Sequence, residues 1–98
     1  LIFNLKYTII DMQKIQKEEI LNREFNKFFE KKLMLELQVA LQRKLNPNEK
    51  SAKKPLRFAN NGQPLSWEEI TRKEHIEILE KEIDDVNQIL ETIQDISN

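Results

Sequence analysis

The chemically versatile side chains of this 98-residue chain are one histidine, His75, the carboxylates that follow it, and a group of cations between Lys50 and Arg57. Zinc chemistry at His75 would need further ligands. The chain has no cysteine and no second histidine to complete an H-x-x-x-H pair, so His75 reads as a solvated or ion-paired helix residue. Glu77, Glu80, Glu82, Asp84 and Asp85 could supply a general acid and base, but they are distributed as the solvent face of a helix is, and nothing marks one as desolvated. Gly-rich phosphate loops and a G-x-S-x-G elbow are absent from a chain with a single glycine. The expectation is a protein that is not an enzyme and needs no metal or cofactor.

The cations carry a different possibility. Lys50, Lys53, Lys54 and Arg57, followed by Phe58, make a locally basic segment that could touch an anion or nucleic-acid phosphates while the aromatic ring stacks on a base. The plainer reading, a solvated connector, is favoured because the acidic second helix would repel the same ligand. Residues 1–65 hold 13 basic and 7 acidic side chains, whereas residues 66–98 hold 3 and 10. With a net charge of −1 there is no global field for polyanions. The opposed halves instead predict internal pairing: Arg23, Lys27 and Lys31 form a like-charge ladder at i+4 spacing, and Glu80 and Glu82 are suited to relieve it.

Long helices must position these groups, because all three prolines and the glycine lie at or beyond position 47. The pattern predicts helix one over 11–45, about 50 Å long at 1.5 Å per residue. It is closed by Asn46-Pro47-Asn48, since proline disfavours the helical conformation in the residue before it. A connector over 46–65 follows, long enough to be a place to look for function. Helix two is predicted over 66–96, with Ser66 and Glu69 as a capping box, Leu65 and Ile70 as its hydrophobic staple, and Trp67 in the first turn, where it can cap the end of a bundle or anchor an interface.

In helix two, Ile76, Leu79, Ile83, Val86, Leu90 and Ile93 are spaced 3 and 4 alternately, the seam of a coiled coil. In helix one a ridge of i+4 steps runs through Leu21, Phe25, Phe29, Leu33, Leu37, Leu41 and Leu45, flanked by Phe28, Met34, Leu35, Val39 and Ala40. Such a ridge drifts about 40° per step, so one partner helix cannot cover it. Residues 1–10 fit two patterns. Phe3, Leu5, Tyr7 and Ile9 alternate as a half-buried strand does, while Ile2, Leu5, Ile9 and Met12 have helical spacing; the alternation favours an extended segment.

The sequence therefore predicts an all-α protein, a single domain whose two helices form an antiparallel hairpin with a coiled-coil-like seam and dimerise into a four-helix bundle. Its expected work is protein–protein interaction or assembly through helix packing, with a second copy or a helical protein as partner. The alternative is a small dimeric nucleic-acid-associated regulator acting through the basic connector. The opening "LIFNLKYTII" lacks the basic start and cleavage site of a secretory signal, and no apolar run reaches the length of a membrane span. An intracellular, cytoplasmic location away from membranes is the expectation, and a start at Leu1 rather than methionine is what a fragment or processed product would show.

Overall fold

The computed structural model describes residues 2–98, with side chains described from Gln13 onward. Its elements are helix α1 (Ile2–Gln42), strands β1 (Lys50–Phe58) and β2 (Pro64–Thr71), and helix α2 (Arg72–Ser97). The two strands form an antiparallel sheet, so the fold is α+β and the all-α expectation, with the four-helix bundle built on it, is overturned. The predicted connector over 46–65 is mostly one strand of a hairpin and its turn. It hid its nature because "KSAKKPLRF" lacks an apolar alternation and has a proline inside. A two-stranded sheet tolerates this, since each strand has an open edge and a missing N–H need not break a ladder.

Register supplies what hydrophobicity does not. Lys53 lies opposite Glu69, Lys54 opposite Glu68 and Ala52 opposite Ile70, so cations of β1 meet acids of β2 across the ladder. The shifts in register leave Ser51 and Leu56 on β1, and Leu65 on β2, as extra residues of bulges. The turn between the strands is built from Asn60-Asn61-Gly62. Gly62 donates its N–H to the Ala59 carbonyl at 2.9 Å and adopts a φ of 85°, a left-handed conformation that suits glycine. Asn61 Oδ1 accepts the Gln63 N–H at 3.0 Å.

Helix two begins at Arg72 rather than Ser66, which moves its cap by five residues. Thr71 is the capping residue: its Oγ1 accepts the Glu74 N–H at 3.2 Å and donates to Glu74 Oε1 at 3.3 Å. The same Ser/Thr-x-x-Glu spacing occurs at Ser66 and at Thr71, and the hairpin takes the first for strand pairing. At the other end of the chain the backbone is helical from Ile2, so the extended reading of residues 1–10 is corrected over 2–10, and Leu1 lies outside the described residues. The two strands of the hairpin pair with each other, and nothing in the sequence of this segment breaks a helix that propagates from residues 11–42.

The chain divides into two compact units, Met34–Asp84 and Leu1–Leu33 with Asp85–Asn98. In the first, the buried side chains are Leu35 and Val39 of α1, Ile70 of β2, and Arg72 and Leu79 of α2, with Ile70 the most completely enclosed. In the second, Val86 and Leu90 of α2 are buried. Shallow clefts there are lined by Leu21 and Phe25 together with Ile93 and Ser97, and by Phe25 and Phe29 together with Leu90 and Gln94, so the helices run in opposite directions within this unit. Phe25 and Phe29 stack with ring centroids 6.0 Å apart and planes 11° from parallel.

Candidate interaction surface

One turn of an α-helix separates side chains by about 100° per residue, so positions two apart point away from each other. On α1 this divides the apolar residues of the Met34–Asp84 unit sharply. Leu35 and Val39 are 8 % and 6 % exposed, whereas Met34, Leu37 and Leu41 are 59 %, 60 % and 56 % exposed. Leu45, in the turn after the helix, is 56 % exposed and lies in the wall of a cleft shared with Pro47 and Ile76. The helix ends tightly there: Lys44 and Leu45 donate their N–H groups to the carbonyls three residues back, Leu41 and Gln42.

The residues that the sequence assigned to an interface therefore fall into two groups. Leu79, Val86 and Leu90 of the α2 seam are buried, and Ile76, Ile83 and Ile93 are half-buried. On α1, Phe25 is half-buried while Phe29, Leu33, Leu37 and Leu41 are exposed. The ridge that reads as the dominant apolar feature of α1 is on the surface, and its flanking residues Leu35 and Val39 are in the core. The signal that could have separated them is the spacing 35, 39, 42, a narrow seam ending on Gln42, whose Oε1 lies 3.0 Å from His75 Nδ1.

The hairpin exposes a second set of apolar side chains. Leu56, Phe58, Leu65 and Trp67 are all more than half exposed. Two of them, Leu56 and Leu65, are the extra residues of bulges, and Trp67 sits on β2 opposite Pro55 rather than in the first turn of a helix. Of the four cations assigned to anion contact, Lys54 is 3.8 Å from Glu68 and Lys53 is opposite Glu69, while Lys50 and Arg57 are opposite the neutral Thr71 and Ser66. The Lys54 and Glu68 side chains are nearly half exposed, so the pair contributes at most about 1 kcal/mol, yet its field cancels locally.

The polar contacts of the unit are occupied in holding it together. Arg72, the one charged side chain among the buried residues described, donates from Nη1 to the Asn46 carbonyl at 2.7 Å and to Glu49 Oε2 at 2.9 Å. The backbone repeats the clasp: Arg72 and Lys73 donate their N–H groups to the carbonyls of Glu49 and Pro47, so the loop before β1 satisfies the open donors at the start of α2. Arg43 pairs with Glu80 beside a shallow cleft of about 290 Å³ whose walls include Leu45, Pro47, Ile76 and Glu77. Among the described residues no three His, Asp or Glu side chains gather as metal ligands would, and His75 is bonded to an amide, not a carboxylate.

What this arrangement can do is present apolar surface, on α1 and on the hairpin, from an internally clasped frame. Among the described residues no helix is long and apolar enough to cross a membrane. No protein-family model, curated protein or solved structure matches this chain.

Proposed function

We propose that this protein is a non-enzymatic interaction module that packs a helix of a partner, a second copy or another helical protein, against the outward row of α1. The observation that carries this reading is the exposure of Met34, Leu37 and Leu41, each above one half, along one side of α1. Fully burying one such side chain is worth about 1.5–3 kcal/mol, and contiguous apolar patches left in water mark interaction sites. Nearby Leu35 and Val39 complete a core without them, so the row is surplus to the folding of the unit. The reading that assigns Lys50, Lys53, Lys54 and Arg57 to nucleic acid is weakened by the acids opposite Lys53 and Lys54.

Site-specific photo-cross-linking tests the proposal whatever the partner. A cross-linking residue at position 37 should give a discrete protein adduct in cells, and one at the exposed polar position Gln88 should give none. Leu37→Asp, made on the surface, should leave far-UV circular dichroism unchanged and abolish binding of the partner so captured. Absence of adducts from positions 34, 37 and 41 alike would refute the reading.

A further inference from the structure

We infer that Asn61 is a site of spontaneous covalent modification, in which its side-chain amide closes on the Gly62 backbone nitrogen and is hydrolysed to aspartate and isoaspartate, and that the hairpin turn holds this reaction in check. The substrate is the turn itself, and the co-reactant is water.

The chemistry starts from a ring closure. When the Gly62 nitrogen attacks Asn61 Cγ, the new C–N bond closes a succinimide, and having nucleophile and electrophile on adjacent residues makes the step unimolecular. The Gly62 nitrogen gives its proton to hydroxide, and Asn61 Nδ2 leaves as ammonia with a proton from water. Water then adds to one of the two ring carbonyls. The ring opens to aspartate or, with the main chain routed through the side-chain carbons, to isoaspartate. A side chain on the attacking residue obstructs closure, so the residue after each asparagine decides the rate. Gly62 is the one glycine of the chain, and it follows Asn61. Asn48 and Asn60 precede residues with side chains, and Asn46 precedes a proline, which has no N–H to give up. Asn22, Asn26 and Asn87 lie within α1 and α2, where the following N–H is bonded along the helix.

The structure puts the Asn61-Gly62 pair in solvent. Residues Asn60 to Gln63 are all exposed, and no heavy atom lies within 4 Å of the point where a Cβ on Gly62 would stand. Two hydrogen bonds act on the reaction in opposite senses. Gln63 donates its N–H to Asn61 Oδ1 at 3.0 Å, which polarises the amide carbonyl and would stabilise the charge of the tetrahedral intermediate. Gly62 donates its N–H to the Ala59 carbonyl at 2.9 Å, which retains the proton that has to leave. A polarised carbonyl achieves nothing without a freed nucleophile, so the second bond governs. The reaction therefore proceeds from a turn opened at the Ala59 to Gly62 bond, a local opening at the tip of a hairpin.

The product changes the turn. Residues 50–67 hold four cations and no acid, so a carboxylate at position 61 is the first negative charge in that stretch. The isoaspartate route also lengthens the main chain by one carbon between positions 61 and 62, which misaligns the Gly62 N–H with the Ala59 carbonyl and keeps the turn from reclosing as before.

Peptide mapping by chromatography and mass spectrometry tests both halves of the inference, on the full chain held at mildly alkaline pH in buffer and in high urea. In urea, position 61 should pass through the succinimide, lighter by one ammonia, to a mixture of aspartate and isoaspartate, at a rate proportional to hydroxide. In buffer the same products should form several-fold more slowly. Gly62→Ala, measured in urea where the strain of a side chain at this φ is irrelevant, should slow conversion at least several-fold, and Asn61→Gln should abolish it. No conversion at position 61 in urea, or conversion no faster than at Asn48 and Asn60, would overturn the site. A rate in buffer equal to that in urea would overturn the control by the turn.

Discussion

Leu35 and Leu37 are the same residue type on the same helix, two positions apart, and the chain treats them oppositely: one is 8 % exposed and the other 60 %. Composition and propensity do not distinguish them; the direction of the side chain does. Folding uses the Leu35 side of α1, and the Leu37 side is the one proposed to receive a partner. The largest expected effect follows from this difference. Leu35→Ala should destabilise the fold by about 3 kcal/mol, because a buried leucine loses both its transfer free energy and its packing. Leu37→Ala, measured by urea denaturation at sub-micromolar protein, should change stability by less than about 0.5 kcal/mol. Equal costs at low concentration would erase the distinction between the two sides.

The folded side also contains a polar anchor, and its two partners should not matter equally. The Arg72 side chain is 9 % exposed and that of Glu49 is 60 % exposed. Arg72→Met keeps an apolar stem of similar length and removes the bonds to the Asn46 carbonyl and Glu49, which should cost about 2 kcal/mol. The loss is partly offset, because the buried Arg72 Nε has no hydrogen-bond partner and its burial ceases to be a cost. Glu49→Gln should cost less than about 0.5 kcal/mol, since the carboxylate is mostly in water and its backbone carbonyl still accepts the Arg72 N–H. Thermal denaturation of the two variants side by side separates the buried contribution from the exposed one.

How much of this was legible in the sequence depends on whether the cause is local. The apolar seam of α2 from Leu79 to Leu90 is a local pattern and is readable, whereas the end of α1, expected at Leu45 from Asn46-Pro47, comes three residues earlier at Gln42. The hairpin is not local in the same sense. Lys53 and Lys54 look like a solvated stretch until Glu68 and Glu69, fifteen residues on, are set opposite them. Without that pairing, charge density and Pro55 argue for a loop. Of the candidate surface, the outward residues Leu33, Leu37 and Leu41 were visible as a ridge, but a ridge by itself does not say whether it faces the core. That answer needed the position of Leu35 and Val39, which tertiary packing supplies.

The smallest effects concern two hydroxyls, and they compare the start signal that helix α2 uses with the one it passes over. Thr71 Oγ1 accepts the Glu74 N–H and donates to the Glu74 carboxylate, so Thr71→Ala should cost about 1 kcal/mol through the loss of the cap. Ser66 has the same spacing to Glu69, yet it lies in β2 opposite Arg57, and its Oγ is buried without a hydrogen-bond partner. Removing a hydroxyl that has given up water and gained nothing relieves a cost, so Ser66→Ala should be neutral or stabilise by up to about 1 kcal/mol. The signs should therefore be opposite, or one should be zero, for two residues that look equivalent in the chain. Chemical denaturation midpoints for the two alanine variants decide it: a Ser66→Ala loss as large as that of Thr71→Ala would place the start of the helix at Ser66 and dissolve the β2 strand, whereas a loss at Thr71 alone fixes the helix start at Arg72 and with it the register of the hairpin.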